Sequence, residues 1–318
     1  MTARSEMAQV ESSTFAVAGT PAAAAPSPIA PCSNPSKLAD YWSLTKPEVT
    51  FLVLIATALG GFMAVESPDA MILFHAVLGT ALVAGGTAAL NHYLEREYDS
   101  RMRRTANRPL PSGRLSAFEA FAFGAGISMV GVAYLALFVN RLTSILGLAT
   151  LLSYLCIYTP LKRRTTWATF VGAIPGAAPV LMGWSAVTGG LSAGAWALYA
   201  LLFVWQFPHF LAIAWMYRED YARAGMLMLP AQDPHGDAAF RQILGYSLAL
   251  IPVSLLPAFL GMTGSGYLWP VALLGFAFLY FALQASRERT KLGAKTLLHV
   301  TVIYLPLVYA VMAATKTG

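Results

Sequence analysis

The chain has 318 residues, of which 57% are hydrophobic and only 11% charged, with a formal net charge of +6. Soluble domains carry about 25% charged residues, so this composition belongs to an integral membrane protein. It excludes a solvated basic surface of the kind that binds nucleic acid, and the excess charge is expected to orient the chain in an anionic bilayer.

Residues 1–36 are rich in Ala, Ser, Pro and Thr, with only Arg4 as a basic residue before Lys37. They lack the charged start and short apolar core of a secretory signal. The predicted organisation is a disordered cytoplasmic tail over 1–40, followed by one membrane domain over 41–318. Cys32 and Cys156 are too few and too ill-placed for a disulfide framework or a metal site.

Nine apolar stretches follow, each about 20 residues long, the length that crosses a bilayer as a helix. They cover 48–66, 71–94, 117–139, 142–160, 166–187, 193–216, 241–262, 266–285 and 295–314. The expected fold is therefore all-α: a polytopic bundle of nine transmembrane helices. With nine spans, 19 of the 21 Lys and Arg residues fall on one side, leaving only Arg141 and Lys316 on the other. The positive-inside rule then puts the amino terminus in the cytoplasm and the carboxyl terminus outside.

The second stretch runs into NHYLEREYDSRMRRTANRPLPSG, 91–113. Asn91, Glu95 and Asp99 stand four residues apart, so a helix continuing this far carries them on one face, over about 12 Å. Arg101, Arg103, Arg104 and Arg108 follow. Carboxylates beside arginines suit a phosphate carried on Mg²⁺, which takes one or two carboxylates and fills its shell with water and phosphate oxygens. The arginine fork grips the remaining phosphate oxygens. The bland alternative is a solvated cytoplasmic loop whose acids and bases pair along a helix.

Span four closes with YTPLKRR, 158–164. Span five holds GAIPGAAPVLMG, 172–183, where Pro175 and Pro179 predict a bent, irregular helix. Span six ends in WQFPHFLAIAWMYREDYARAGMLMLP, 205–230. Gln206 and His209 lie inside its apolar run, where polar side chains are costly and mark function by default; an interhelical hydrogen bond is the bland alternative for His209. Asp220 sits eleven residues beyond His209, so a continuous helix would place both on one face. Both chemically unusual loops, after spans two and six, fall on the cytoplasmic side, where a central cavity is expected to open.

These residues resemble the intramembrane prenyltransferases of the UbiA superfamily, marked by Asn-xxx-Asp/Glu-xxx-Asp after span two and a second acidic motif after span six. Asn91, Glu95, Asp99, Arg104-Thr105, Arg108-Pro109, Tyr158-Thr159, Lys162-Arg163, Trp205-Gln206, Pro208-His209-Phe210 and Asp220-Tyr221 carry the likeness, which spans about 40–315. Met216 stands where many members have the first acid of the second motif. That pattern is shared by the haem-modifying branch and leaves Asp220 as the sole matching acid there.

The resemblance implies transfer of the farnesyl group of farnesyl diphosphate to a vinyl group of haem B, with addition of water and release of diphosphate. It implies Mg²⁺ as cofactor, with haem B a substrate and not a permanent cofactor. Asn91, Glu95, Asp99 and Asp220 would hold the metal and diphosphate. Arg104, Arg108, Lys162 and Arg163 would hold diphosphate or haem propionates. Tyr158, Gln206 and Tyr221 would line the substrate site, and His209 would touch the iron or edge of the porphyrin. His75, His92 and His299 are weaker candidates, expected to be packing residues. The implied setting is the inner membrane of a bacterium, with a haem A synthase or terminal oxidase assembly as a partner. A prenyltransferase for a quinone precursor or chlorin, and a haem transporter without catalysis, are the alternative readings.

Overall fold

The computed structural model describes residues 36–317. The expected tail lies outside the described residues as far as residue 35, as does Cys32. Among the described residues the chain is helical, and nine helices are long and apolar enough to cross a membrane.

The first helix is short and amphipathic: α1, Lys37–Leu44, capped by Ser36. The spans follow as α2 (Pro47–Ala64), α3 (Ala70–Asp99), α4 (Ala117–Phe138), α5 (Arg141–Leu161), α6 (Ala168–Thr188) and α7 (Ala193–Met216). Short helices α8 (Arg218–Arg223) and α9 (Leu229–Gln232) precede α10 (Asp237–Phe259), α11 (Leu268–Glu288) and α12 (Lys291–Ala314).

Local chemistry fixes many of the ends. Asp69 starts α3 by accepting from the Met71 and Ile72 amides, at 2.7 and 3.3 Å. Ser116 and Glu119 form a reciprocal capping box at α4. Asn140 caps α5 through the Thr143 amide, and Thr290 caps α12 through that of Gly293.

The helices at the centre are α6 and α7, with 72% and 61% of their apolar windows buried against 22–39% for the others. α2 packs on α6, α3 on α4, and α10 and α12 on α7. The α2–α6 seam is made by small residues. A methyl at Gly60 would strike the Val180 carbonyl, and one at Gly61 would lie 2.9 Å from the Gly183 carbonyl oxygen. Without a hydrophobic force between helices in lipid, such close backbone contact is what holds the pair.

Two local expectations differ from the structure. The helix through Pro175 and Pro179 runs without interruption from Ala168 to Thr188. The irregular backbone is in α5 instead, where Ser153–Tyr158 form a π turn. The continuous helix expected from His209 to Asp220 also breaks: α7 ends at Met216, Tyr217 takes φ −111° and ψ 22°, and α8 starts anew. His209 and Asp220 therefore belong to different elements and different surroundings.

Candidate active site

Four segments meet at one end of the bundle: the start of α2, the end of α3 with its following loop, the end of α5, and α8. Asn91, Glu95 and Asp99 lie on the buried face of α3 and are 1%, 7% and 1% exposed. The four-residue step thus does what helix geometry requires.

Each of these three side chains is met by a cation from a different part of the chain. Lys46 Nζ donates to Asn91 Oδ1 at 2.7 Å, and Asn91 Nδ2 donates to Thr159 Oγ1 at 3.3 Å. Lys162 Nζ pairs with Glu95 Oε1 at 2.8 Å, and Arg108 Nη1 with Asp99 Oδ2 at 2.7 Å. The second oxygen of Asp99, Oδ1, is buried without a hydrogen-bond partner among the described residues. Lys162 feels opposing effects: burial, the largest, lowers its pKa, but the Glu95 carboxylate and the Tyr158 and Tyr154 side chains together outweigh it and hold the lysine well above its usual range. At the crowded mouth, lost hydration first and then neighbouring Arg108 push Lys46 down to about 7.

Asp220, 9% exposed, is the acid from the other half of the chain. Its Oδ1 pairs with Arg223 at 2.8 Å and its Oδ2 accepts from the Arg104 amide at 3.4 Å. The Arg104 guanidinium lies 4.7 Å over the Tyr217 ring and 3.4 Å from the Tyr221 hydroxyl. Met102, Met226 and Met228 form an apolar cluster, packed by Tyr98 and Tyr221, that ties the two acidic segments together. The Leu227 amide donates to the Lys162 carbonyl at 2.7 Å, joining the end of α5 to the same cluster. Arg163 turns to Tyr98, donating to its hydroxyl at 2.5 Å, and meets no acid among the described residues.

Beside this polar mouth lies an apolar cavity of about 340 Å³ between α2, α3, α5, α6 and α7. Lys46 and Tyr158 line it, and both also touch the mouth, since Lys162 Nζ lies 4.6 Å over the Tyr158 ring. The π turn presents Tyr158 to Gly172, where a methyl would lie 2.5 Å from the ring. Deeper in, Trp205, Gln206 and His209 form the α7 wall. At 1.5 Å per residue, His209 is about 10 Å below the end of its helix. Val49 and Phe210 also line the cavity and are 59% and 38% exposed, so it reaches the surface between α2 and α7.

The predicted residues therefore divide. Asn91, Glu95, Asp99, Arg104, Arg108, Lys162, Asp220 and Tyr221 gather at the mouth; Gln206 and His209 belong to the cavity, and Tyr158 stands between. Lys46 is a functional candidate that the sequence reading passed over as one more orienting cation. Its backbone is the signal found only in the structure: φ is +48°, a left-handed conformation rare outside glycine. The other histidines lie away from this line. His75 bonds the Tyr134 hydroxyl at 2.6 Å, His92 is buried with neither ring nitrogen partnered, and His299 is exposed.

Among the described residues, no three His, Cys, Asp or Glu side chains converge into a closed metal cage. What the mouth offers is carboxylates backed by cations, open to a guest that brings its own oxygens. Chemically it can bind a polyanion with a hard cation, next to a dry chamber for a hydrocarbon chain.

A profile of the UbiA prenyltransferase family matches residues 53–307. The chain is 51% identical over 289 residues to the protoheme IX farnesyltransferase of Solibacter usitatus, covering 88% of this chain and 99% of that one. It is 45% identical to the protein of the same name from Salinibacter ruber, over 84% of this chain and 95% of that one. Among solved structures, a digeranylgeranylglyceryl phosphate synthase superposes with a TM-score of 0.72 at 20% identity, covering 88% of this chain and 98% of that one. A UbiA homolog from Archaeoglobus fulgidus bound to GPP and Mg²⁺ gives 0.61 at 16% identity, over 86% of this chain and 99% of that one. These two likenesses show the shared fold.

Proposed function

Because the chain belongs to the UbiA prenyltransferase family, we propose that it transfers the farnesyl group of farnesyl diphosphate to a vinyl group of haem B, adds water, and releases haem O and diphosphate. The protein is a prenyltransferase of a bacterial membrane, and relatives named protoheme IX farnesyltransferase match it over most of its length. The observation that carries the reading is the join at Lys46 and Tyr158 between a charged mouth and an apolar chamber. A molecule with a diphosphate head and a hydrocarbon tail matches that join.

Placement in the mouth or the cavity supports the following roles. Asn91, Glu95, Asp99 and Asp220 would hold Mg²⁺ with the diphosphate. The orphaned Asp99 Oδ1 supports this, since a buried carboxylate oxygen without a partner is otherwise costly. When bound, Mg²⁺ neutralises charge on the leaving diphosphate. Arg108 and Lys162, with Lys46, bind the same head electrostatically, and Arg104 and Arg163, whose guanidinium groups meet tyrosines, serve the diphosphate or the haem propionates. Ionisation of the allylic ester leaves a cation inside the dry chamber, where the apolar walls keep bulk water away until carbon–carbon bond formation. Haem B approaches where the cavity opens between α2 and α7, toward Gln206 and His209. The mouth faces the cytoplasm of the inner membrane, the amino terminus is inside and the carboxyl terminus outside, as the charge placement supports. The product would pass to a haem A synthase or terminal oxidase assembly.

Mass spectrometry of haems extracted from membranes expressing this chain tests the reading. The expected species is haem B increased by a farnesyl group and one water. Haem B alone, with farnesyl diphosphate and Mg²⁺ supplied and folded protein present, would refute it.

A further inference from the structure

The reaction consumes a water, yet the chamber is built to exclude water, so something in it must hold one. The threonine hydroxyls in the wall are poorly placed to take up a proton. Thr50, Thr87 and Thr150 each turn theirs back on a main-chain carbonyl at 2.7 Å. On α7, in contrast, two side chains are left with free acceptors.

The first is His209. Its Nδ1 lies 2.8 Å from Thr301 Oγ1, on α12. Thr301 Oγ1 has one proton, and gives it to the Leu298 carbonyl at 2.6 Å. It can therefore only accept from the imidazole, so Nδ1 carries the hydrogen and Nε2 the lone pair. Nε2 meets no protein donor among the described residues, and the ring lines the cavity. Residue 301 fixes the ring in a second way. Its carbonyl accepts from Trp205 Nε1 at 2.9 Å, and the Trp205 ring stacks on His209 at a centroid distance of 4.8 Å.

The second is Gln206, one turn earlier on the same face. Its amide nitrogen donates to the Ala173 and Leu202 carbonyls, both at 3.2 Å, which fixes which end is oxygen. Oε1 then lies against Gly176 on the cavity wall, in a notch that a Cβ there would fill.

We propose that His209 Nε2 and Gln206 Oε1 hold the water that completes the reaction, with His209 taking its proton and Thr301 acting as the positioning residue. The inference rests on the prenyl transfer proposed above. The C1–O bond of the farnesyl ester breaks first and diphosphate leaves with the electron pair; the vinyl π pair then forms the bond from the terminal vinyl carbon to farnesyl C1. The inner vinyl carbon, now cationic and conjugated with the porphyrin, receives the water oxygen. One O–H bond breaks, and the proton moves to Nε2. A water donating both hydrogens to α7 keeps its lone pairs turned into the cavity. A cation that meets no held water instead sheds a proton from the neighbouring CH₂ to the diphosphate, giving an alkene lighter by the mass of one water.

The test is the ratio of hydrated to anhydro product, read by mass spectrometry from the purified enzyme with haem B, farnesyl diphosphate and Mg²⁺. His209→Phe keeps a ring on Trp205 but no acceptor, and the ratio should fall about 100-fold, the low end of what a positioned base contributes. Gln206→Leu and Thr301→Val should fall in the same direction, while Thr301→Ser, which keeps the hydroxyl, should match the wild type. A wild-type enzyme that makes no prenylated haem refutes the proposed function. Prenylated haem with an unchanged ratio in Thr301→Val refutes the water assignment and leaves the function standing. If His209→Phe fails to fold, the Thr301 pair decides by the same ratio. A lost Soret shift with an unchanged ratio would make Nε2 an iron ligand, and also overturns the assignment.

Discussion

Replacing Glu95 by Gln tests whether its carboxylate serves the fold, the chemistry or both. Lys162 Nζ stands 2.8 Å from Glu95 Oε1, with the two side chains only 13% and 9% exposed. Breaking such a pair strands a charge away from water, at a cost of about 3–5 kcal/mol. Residual exposure on both sides places this case near the lower end. Glu95→Gln alone should thus lower the unfolding midpoint in detergent. The double variant Glu95→Gln/Lys162→Met removes both charges and should recover most of that loss, since a buried pair is often neutral against an apolar replacement. Turnover should behave differently. A group that acts on charge developing in the transition state is worth about 2.7–4 kcal/mol, on the order of 100- to 1000-fold in rate. The double variant should regain stability and stay at least that slow. The measurements are thermal unfolding and single-turnover product formation on the same four proteins: wild type, each single variant and the double. Recovery of turnover in the double variant would show that Glu95 only neutralises Lys162. An unmoved midpoint in Glu95→Gln would show that the pair is not held in the folded protein.

Three further outcomes are expected. Lys46→Met removes the cation that meets Asn91 where mouth joins cavity, so affinity for a non-hydrolysable farnesyl diphosphate analogue should drop by about 1.5–3 kcal/mol, on the order of 10- to 100-fold; calorimetry that finds unchanged affinity contradicts this role. Gly183→Ala drives a methyl into the Thr57 carbonyl and to 2.9 Å from the Gly61 amide nitrogen, both main-chain atoms of α2. The helices must separate, at about 1–3 kcal/mol, and because α2 follows Lys46, turnover should fall with the unfolding midpoint; a variant with both unchanged would disprove the seam. Reporter fusions after residues 113 and 235 should read as cytoplasmic and one after Gly318 as outside; an inside carboxyl terminus would rule out the proposed orientation.

What the sequence by itself determined is what repeats locally. Length and apolarity set nine spans, because a bilayer asks only for about 20 apolar residues in a row. The four-residue step set Asn91, Glu95 and Asp99 on one face, because helix geometry decides that before any partner is chosen. The helix caps that the structure shows at Asp69, Ser116 and Asn140 are likewise local, each bonding an amide within three residues. The tertiary structure decided everything that depends on which helix lies beside which. Lys46 reaches Asn91 from 45 residues away, Lys162 reaches Glu95 from 67, and Thr301 reaches His209 from 92. No periodicity encodes those meetings. They follow from backbone seams such as Gly60 and Gly61 on Val180 and Gly183, whose fit depends on shape in three dimensions. The same holds for the two backbone surprises. Proline is a local signal, yet Pro175 and Pro179 stay inside a regular helix. The π turn at Ser153–Tyr158 contains no proline itself, though Pro160 just after it lacks the N–H that a regular helix would give to the Cys156 carbonyl; it brings Tyr158 onto Gly172 beneath Lys162. Hydrophobic pattern specifies that a helix crosses the membrane; only packing against its neighbours specifies which side chains it brings to the site.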